Sequence, residues 1–578
     1  MASRASHDYY RDDMTRMPPL RSIAQTLCLD RRVRKVTAAE AYALAQKQHD
    51  VMDTDLPVYP PAAKRLGLPE GATVLNNCHG RIVGRTAKAR RFYNRMDASE
   101  RRKVEADLRE AIYEMRRYPL IKAEAILGLD ADLMLKATIV ATEDDAVNVF
   151  NWLANFTPYE ELAAVYEKSP RLPIPDILVV GFNQWKTTDP YYHNEGGSQL
   201  ALVDEEANVI FNLGMRYFGE RKKGTLTLAW TSGMRLGMAA CHGGIKEIDF
   251  SGCEAPEARS KGKRSIAFFG LSGTGKSSHT NSHDNGGTLP AGFSKVVLHD
   301  DAFQIDCAGK VCRVWEPTLF DKTDSRPQGH PDWRYTISTM NLALTEADDG
   351  RVLPLGQDVR NPNGRALIDR DLLGAYVNRC AFPNIMVWLM KDTCLPPVVR
   401  FADRGLAVAM GASLMTRRNL AENVSEDELK KLVFEPFANP FRVYELWKDV
   451  EAFLKVFEAG AVGYAFNSVG FWKSSDRDLR KIPLATSLTL QTALLLDQLE
   501  WRDWEQLPGA QIPEKASVER LLPGYAATYD PENVENRDRY VETLKDRFHQ
   551  RRVFLQNSDL HNRPELLMTL VNALMARG

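Results

Sequence analysis

Apolar and polar positions follow two periods along the chain, and together these predict a mixed α/β fold. Apolar runs of strand length predict strands, namely MLKATIVAT, DILVVGF and GTLTLAW in the first half and KVVLHDD, NIMVWLM and VGYAFNS in the second. Apolar residues spaced three or four positions apart predict helices in TAAEAYALAQKQHDVM and DASERRKVEADLREAIYEM. Such a mixture is typical of α/β or α+β domains, in which helices cover a sheet.

Length and turn-forming segments predict more than one domain. A chain of 578 residues exceeds what one hydrophobic core usually organises. The Pro- and Gly-rich segment DLPVYPPAAKRLGLPEGA follows a polar stretch, and the small, charged segment SGCEAPEARSKGKR lies near the middle. We therefore predict an N-terminal extension over residues 1–60, a first lobe over 61–255 and a second lobe over 262–578.

Charge and cysteine content exclude several classes of protein. The formal net charge is −1, so no general basic field favours nucleic acid or an anionic membrane. The eight cysteines lack the paired spacing of a zinc site, which favours a reduced compartment. No apolar run reaches the roughly 18 residues of a spanning helix, and MASRASHDYYRDDMTRMPPLRS lacks the apolar core of a signal peptide. These features predict a cytoplasmic protein without membrane or nucleic-acid partners.

The stretch RSIAFFGLSGTGKSSHT contains a phosphate-binding pattern. Gly270, Gly275, Lys276 and Ser277 fit G-x-x-x-x-G-K-[ST] after a strand-like run. Glycines let backbone N–H groups surround phosphate oxygens, the lysine neutralises the outer phosphates, and the serine hydroxyl suits Mg²⁺. The alternative is a glycine-rich turn between a strand and a helix. The predicted nucleotide-binding loop comprises Gly270, Leu271, Ser272, Gly273, Thr274, Gly275, Lys276, Ser277 and Ser278.

A second pattern, KVVLHDDAFQI, ends a predicted strand in Asp300 and Asp301. Carboxylates at the tip of a strand commonly hold the metal ion of a phosphate-loop protein. Because adjacent side chains of a strand point to opposite faces, we expect one aspartate to ligate metal and the other to orient a ligand or lysine. The alternative is an Asp pair that forms a turn.

The third stretch, YFGERKKGTLTLAWTSGMRLGMAACHGG, contains Lys222, Lys223 and His242. Taken singly, paired lysines are usually a solvated surface feature, and a lone histidine is more often structural than a metal ligand.

Together these blocks resemble the ATP-dependent phosphoenolpyruvate carboxykinases. That family carries G-E-M-K-K where this chain has GERKK, G-L-S-G-T-G-K-T-T where it has GLSGTGKSS, and G-D-D where it has HDD. GRIVGRTAKARRFY is similar to the family's G-I-F-T-G-R-S-P-K-D-K-Y, and three downstream blocks, FDKTDSRPQGHPDWRYTI, NGRALI and MTRRNLAEN, follow in the family's order. The blocks span residues 75 to 480.

The resemblance implies a bilobal fold, with an N-terminal lobe for the organic acid and a C-terminal mononucleotide lobe. It implies ATP-driven conversion of oxaloacetate to phosphoenolpyruvate and CO₂, with ADP as the other product. Lys223, His242 and Asp301 would then hold Mn²⁺, which suits a mixed nitrogen and oxygen set. Ser277 and the phosphates would hold Mg²⁺.

The resemblance also implies roles for individual cations and one tyrosine. Arg85 would bind a carboxylate of oxaloacetate in a bidentate manner, and Tyr217 would contact the substrate or CO₂. The charge of the transferring phosphoryl group would be neutralised by Lys222, Lys276 and Arg365, with Arg360 as the alternative to Arg365. Lys322 and Arg418 would lie near the base or ribose.

Departures from the family pattern leave the nucleotide and the acid open. His299 replaces the glycine before the aspartate pair, His330 stands where the family has a glutamate, and NSHDNGGTLPAGFS is an insertion after the phosphate loop. Two alternatives therefore remain. One is a kinase or decarboxylating kinase that acts on another small carboxylic acid or uses another phosphoryl donor, and the other is a nucleotide-binding scaffold without catalysis.

Overall fold

The computed structural model describes residues 17–77, 89–194, 197–271, 273–324, 326–356, 364–373, 379–417 and 431–575. The chain divides into two compact units, each made of two stretches. Unit 1 comprises Met1–Ser232 and Trp315–Asn378, and unit 2 comprises Gly233–Val314 and Arg379–Gly578. This division differs from the predicted lobe spans, because residues 315–378 return to unit 1. The spans 61–255 and 262–578, and their assignment to the acid and the nucleotide, stay predictions.

Helices and strands alternate throughout the described residues, which confirms the predicted α/β class. The helices are α1 Pro19–Cys28, α2 Ala38–Ala45, α3 Pro60–Arg65, α4 Ala98–Met115, α5 Ala146–Asn155, α6 Tyr159–Tyr166, α7 Phe218–Arg235, α8 Pro256–Arg259, α9 Lys276–Asn281, α10 Arg404–Ala412, α11 Leu446–Glu458, α12 Leu484–Leu495, α13 Lys515–Leu521, α14 Tyr525–Tyr529, α15 Arg537–Gln556 and α16 Pro564–Ala573.

The strands are β1 Arg34–Lys35, β2 Val51–Pro57, β3 Thr73–Asn77, β4 Arg90–Phe92, β5 Leu120–Asp130, β6 Leu133–Thr142, β7 Thr157–Pro158, β8 Ile177–Phe182, β9 His193–Asn194, β10 Gly197–Ser198, β11 Leu200–Asp204, β12 Val209–Leu213, β13 Ala239–Asp249, β14 Lys263–Phe269, β15 Ser294–His299, β16 Ala302–Asp306, β17 Val311–Arg313, β18 Thr318–Lys322, β19 Thr336–Met340, β20 Leu344–Glu346, β21 Val352–Pro354, β22 Arg365–Asp369, β23 Arg379–Ala381, β24 Ile385–Met390, β25 Val398–Phe401, β26 Met415–Arg417, β27 Leu432–Phe434, β28 Val462–Asn467, β29 Gly470–Ser475, β30 Asp478–Lys481, β31 Trp501–Asp503 and β32 Ala510–Pro513.

Unit 1 contains two main sheets. The larger has the strand order β1-β5-β6-β8-β12-β11-β4, with β7 paired to β5, and the smaller has the order β18-β22-β19-β3-β2. The smaller sheet joins both stretches of the unit, since β2 and β3 come from the first and β18, β19 and β22 from the second.

Residues 17 to 60, predicted as an N-terminal extension, take part in the core of unit 1. Helix α1 packs with α4 and the β8–β12 region in one apolar cluster that includes Leu20, Leu27 and Leu108. The fully buried Arg21 donates hydrogen bonds to the carbonyl oxygens of Asp176 and Ala207. The predicted helix TAAEAYALAQKQHDVM is shorter than expected, because α2 ends at Ala45 and the final VM begins β2.

The segment GTLTLAW was predicted as a strand, and that prediction is wrong, because it lies in helix α7. The alternation of Thr and Leu does not separate a buried face from an exposed one, because every residue of the segment is buried. Thr225 and Thr231 donate their hydroxyl protons to the carbonyl oxygens four residues earlier, so the helix itself satisfies these buried groups. Gly224 allows a close approach, because a Cβ there would lie 1.8 Å from Ile210 Cδ1.

Unit 2 is built on an eleven-stranded sheet with the order β23-β17-β16-β13-β14-β24-β28-β25-β32-β31, with β15 paired to β13. Strands β14, β24 and β28 are parallel. Strands β14 and β15 are both antiparallel to β13, so they run in the same direction and end at the same edge of the sheet. The predicted boundary segment between β13 and β14 therefore connects two paired strands of this sheet.

Candidate active site

The predicted phosphate loop follows β14 and leads into α9, as the sequence pattern requires. Gly273 and Gly275 have φ angles of +80° and +90°, a left-handed conformation that favours glycine. A Cβ at Gly270 would lie 2.3 Å from Thr274 Oγ1, which donates a hydrogen bond of 2.7 Å to the Leu271 carbonyl. Gly273 and Gly275 are therefore favoured by the backbone conformation of the loop, and Gly270 is favoured by close packing. Ser277 and Ser278 are exposed in the first turn of α9.

Lys276 turns towards the end of β15, where the aspartate pair begins. Its Nζ donates a hydrogen bond to the Asp300 carbonyl oxygen and lies 3.8 Å from Asp300 Oδ1. Asn281 Nδ2 donates to Asp300 Oδ2 over 3.1 Å. The carboxylate of Asp300 is thus positioned between the first and last residues of α9, and its role in orienting a ligand or lysine stays a prediction.

Asp301, the other member of the pair, faces His242. His242 Nε2 lies 3.4 Å from Asp301 Oδ1. His242 Nδ1 lies 2.5 Å from the Ala438 carbonyl oxygen, and because a carbonyl can only accept, Nδ1 carries the proton of the neutral ring. In the neutral ring the Nε2 lone pair faces a carboxylate oxygen, and a cation bound between these two acceptors would remove their repulsion.

This pair alone is not a complete metal site. Across the described ranges, no group of three His, Cys, Asp or Glu side chains converges to hold a metal ion. The predicted set takes its third ligand from Lys223. A histidine whose Nδ1 proton is fixed by a carbonyl is the usual arrangement for a metal-binding Nε2, so the residues present fit a divalent cation.

His299, the substitution immediately before the aspartates, has a local structural role. The ring is fully buried, and its Nδ1 accepts hydrogen bonds from the backbone N–H groups of Asp301 (3.0 Å) and Ala302 (3.1 Å). The imidazole thus closes the turn that presents both carboxylates, where the family has a glycine.

Strand β13 passes directly beneath α9. The Gly243 N–H donates to the Asp301 carbonyl over 3.2 Å. A Cβ at Gly244 would lie 2.1 Å from Thr280 Oγ1 and 2.8 Å from Asp300 Oδ1. Only glycine at this position lets the helix of the phosphate loop approach the strand this closely.

A buried polar network, which the sequence reasoning missed, supports the far end of α9. Lys246 Nζ donates to the His279 carbonyl (2.7 Å) and to Asn285 Oδ1 (3.0 Å). Burial lowers the pKa of Lys246 well below its usual value, with a further lowering from Lys295. Burial also lowers the pKa of His279 to about 4. Asn285 lies in the insertion after the phosphate loop, so the insertion is anchored in this network.

Lys222 forms a buried ion pair in unit 1. Its Nζ lies 2.9 Å from Glu316 Oε1, and both side chains are fully buried. Asn155 Nδ2 donates to the other oxygen, Glu316 Oε2, over 2.7 Å. Thr318 Oγ1 donates to Asn155 over 3.2 Å, which fixes the orientation of the amide. Neither Glu316 nor Asn155 was singled out from the sequence.

Several predicted site residues surround the ring of Phe320 in unit 1. Arg365 Cζ lies 5.7 Å and Lys222 Nζ 6.0 Å from the ring centroid, and the Tyr217 ring lies 6.4 Å away. Lys322 is the direct cross-strand partner of Arg365 in the β18–β22 pair. Like charges in such positions repel each other, and a bound anion would relieve that repulsion.

Lys223 lies one residue further along α7, partly exposed, with its Nζ 5.5 Å from the Trp230 ring centroid. The neighbouring Glu220 accepts two hydrogen bonds from Arg90, of 2.5 and 2.9 Å. Lys223 belongs to unit 1, whereas His242 and Asp301 belong to unit 2. The assembly of these three residues into one metal site therefore stays a prediction.

Four predicted residues, Arg85, Ser272, Arg360 and Arg418, lie outside the described residues. His330, which replaces a family glutamate, caps a 3₁₀ turn, because its Nδ1 accepts a hydrogen bond from the Asp332 N–H over 3.2 Å.

A strand, a glycine loop, a helix that begins with lysine and carboxylates at the tip of a parallel strand are the elements typical of phosphate-loop nucleotide-binding proteins. Comparison with known proteins shows what part of the chain is similar to. Residues 89–306 match the family model described as phosphoenolpyruvate carboxykinase, of the ATP type. This match and the curated relative below agree with the resemblance to the ATP-dependent phosphoenolpyruvate carboxykinases that the motifs indicated.

One curated relative has the printed name phosphoenolpyruvate carboxykinase (ATP) and comes from Dictyostelium discoideum. It is 27% identical over 208 residues, which is 34% of this chain. The chain spans about a third of the length of this relative, 32%. The family match includes Lys222, Lys223, His242, Lys276 and Asp301, whereas Lys322 and Arg365 lie beyond it.

Proposed function

We propose that the protein is an ATP-dependent phosphoenolpyruvate carboxykinase that converts oxaloacetate and ATP reversibly to phosphoenolpyruvate, CO₂ and ADP. The observation that carries the proposal is the convergence of the phosphate loop with two differently oriented aspartates at one edge of the unit 2 sheet. Asp300 contacts Lys276, and Asp301 faces His242. A nucleotide-binding scaffold without catalysis has no need for the second pair.

ATP binding is assigned to the loop Gly270–Ser278. Glycines in the left-handed conformation allow backbone N–H groups to surround phosphate oxygens, and Lys276 supplies a positive charge at the end of the loop. Lys276 contacts the Asp300 carbonyl, and a phosphate oxygen would compete for the same ammonium protons. Lys322 and Arg418 are proposed to contact the base or ribose.

Divalent cations are assigned to two places. Lys223, His242 and Asp301 would hold Mn²⁺, and Ser277 would hold Mg²⁺ together with the phosphates of ATP. A bound divalent cation stabilises negative charge on the oxygens of the reacting groups. The protein's own contribution is to hold His242 in one tautomer through Ala438 and to aim Asp301 through the turn that His299 closes.

The remaining residues are proposed to bind the acid and the transferring phosphoryl group. Arg85 would bind a carboxylate of oxaloacetate, and Tyr217 would lie against the substrate. Loss of CO₂ leaves an enolate whose oxygen attacks the γ-phosphoryl group. Lys222, Lys276 and Arg365 would neutralise the charge that spreads over the transferring oxygens.

A coupled assay for phosphoenolpyruvate formed from oxaloacetate tests this proposal. We expect turnover with ATP in the presence of Mn²⁺ and Mg²⁺, and none with GTP or pyrophosphate. Turnover with another donor would preserve the reaction and refute the nucleotide assignment. Protein that binds ATP but converts no oxaloacetate with any donor would refute the proposed substrate and favour a kinase acting on another small carboxylic acid.

The proposal includes small-molecule partners and a cytoplasmic location. No helix among the described residues is both long enough and apolar enough to cross a membrane. The seven cysteines in the described residues are all free thiols.

A further inference from the structure

A cleft in unit 2 lies at the opposite end of strand β14 from the phosphate loop. It has a volume of about 230 Å³, and its walls include Arg264, Ile385, Arg400, Val462, Tyr464 and Trp501. Ile385 and Val462 are the first residues of β24 and β28, and Arg264 is the second residue of β14. The cleft therefore opens at the amino ends of the three parallel strands, whereas the phosphate loop follows a carboxyl end.

Strand register puts the polar groups of the cleft on one face of the sheet. Arg400 on β25 is the direct partner of Tyr464 on β28, and of Gln511 on β32. Val462 precedes Tyr464 by two residues and pairs with Ile385, so both apolar side chains lie on the same face. The last turn of α12 and the segment that follows it form the opposite wall.

Arg400 carries a positive charge that has no matching carboxylate within the described ranges. Its Nη1 donates to the neutral amide oxygen of Gln511 over 3.2 Å, and its buried Nε makes no hydrogen bond. The guanidinium carbon lies 5.9 Å from the Trp501 ring centroid. A guanidinium with an unused, water-excluded donor is a costly arrangement unless a ligand completes it.

The other polar residues that line the cleft include Arg264, Asp497 and Tyr464. Asp497 is already shared between two cations, since it lies 3.0 Å from Arg264 Nη2 and 2.9 Å from Lys261 Nζ. The buried Nε of Arg264 makes no hydrogen bond. No described residue forms a hydrogen bond with the Tyr464 hydroxyl. The charged residues that line the cleft are two cations, Arg264 and Arg400, and one carboxylate, Asp497, so its net charge is positive.

We propose that this cleft binds a small anion with a phosphate or carboxylate group, held by Arg400 and the Tyr464 hydroxyl. The planar fork of arginine matches both oxyanions, and the phenol supplies a further donor. The apolar side chains of Ile385 and Val462 and the indole of Trp501 leave room for a short carbon skeleton. This site is separate from the proposed carboxykinase site, and neither proposal depends on the other.

Equilibrium dialysis of the full-length protein tests the site. Radiolabelled inorganic phosphate and radiolabelled acetate serve as the two probes, each at millimolar concentration. All measurements use the Lys276→Ala background, which weakens phosphate binding at the phosphate loop. In that background, Arg400→Gln is compared with Arg537→Gln, which removes the same charge from an exposed position in the same unit.

We expect one of the two anions to bind, and Arg400→Gln to weaken its binding by about tenfold or more, as for the loss of one charge-assisted hydrogen bond. Arg537→Gln should leave the affinity unchanged. Preference for phosphate over acetate, or the reverse, identifies the chemical source of the anion. Failure of both anions to bind, or equal binding by the two variants, would overturn the proposal.

A second variant tests the site independently, in case Arg400→Gln does not fold. Tyr464→Phe keeps the ring that packs against Trp501 and removes only the hydroxyl. We expect its affinity for the same anion to fall by about tenfold, as for the loss of a hydrogen bond to a charged group, with an unchanged thermal melting temperature. An unchanged affinity in Tyr464→Phe would remove the hydroxyl from the site and refute this part of the proposal.

Discussion

The buried ion pair between Lys222 and Glu316 permits a quantitative test of the interior of unit 1. Both side chains are fully buried, and their charged atoms lie 2.9 Å apart. The change Glu316→Gln keeps the size of the side chain and the acceptor for Asn155, but it leaves the charge of Lys222 buried without its carboxylate. The complementary change Lys222→Met leaves the carboxylate without its cation.

Breaking a buried pair by removing one partner costs about 3–5 kcal/mol of unfolding free energy. We expect each single variant to lose an amount in that range. The double variant carries neither charge, so its loss should be smaller than the sum of the single losses by about 1–3 kcal/mol. The matched control is Arg109→Met, which breaks an exposed pair with Glu105 and should cost less than about 1 kcal/mol.

Urea denaturation followed by circular dichroism, on all four variants and the parent protein, measures these losses. The double-mutant cycle isolates the coupling from the effect of each substitution on its other neighbours. Strict additivity, or a loss below about 1 kcal/mol in Glu316→Gln, would refute the reasoning, because the pair would then be no stronger than a surface ion pair.

Three further predictions concern unit 2 and the predicted metal ligands. Asp301→Ala and Lys223→Ala should each abolish phosphoenolpyruvate formation with little change in melting temperature, and near-native turnover with Mn²⁺ in either variant would contradict the metal assignment. Gly244→Ala should weaken ATP binding, measured by calorimetry, because its Cβ would lie 2.1 Å from Thr280 Oγ1 and displace α9; native affinity would show that the helix can shift without effect. Burial lowers the pKa of His279 from 6.5 to about 4, so as the pH falls the unfolded chain takes up a proton at this ring before the folded protein does. About 3 kcal/mol of folding stability, present above pH 6.5, is therefore lost as the pH falls towards 4. The difference in urea midpoint between His279→Gln and the parent protein should therefore change between pH 7 and pH 5. A difference that is the same at both pH values would contradict the lowered pKa.

Local sequence patterns predicted correctly those elements whose conformation depends on contacts between residues close in sequence. Strand β14, the turn into α9 and the strand β15, which ends just before Asp300, all occur where the sequence placed them. Helix α4 also agrees, because Asp97 and Glu100 form a reciprocal capping box in front of an amphipathic stretch. In these cases the periodicity, the glycines and the caps all favour one conformation.

The sequence-based predictions are wrong or missing where contacts between residues distant in sequence determine the structure. The strand predicted for residues 224–230 lies in helix α7, where every residue of the segment is buried and Thr225 donates its hydroxyl proton to the Arg221 carbonyl. Glu316 lies 94 positions from its partner Lys222, so no local pattern indicates the pair. His299 could have been interpreted from its sequence neighbours, since it bonds to N–H groups two and three residues ahead.

The interleaved course of the chain through the two units has a consequence for biosynthesis. Strands β2 and β3 leave the ribosome early, yet their sheet is completed only by β18, β19 and β22, whose last residue is Asp369. The first stretch of unit 1 must therefore wait, with an open sheet edge, while the first stretch of unit 2 is synthesised. A nascent chain that stops at residue 314 would leave both units incomplete, so stable folding should begin only after most of the polypeptide has emerged.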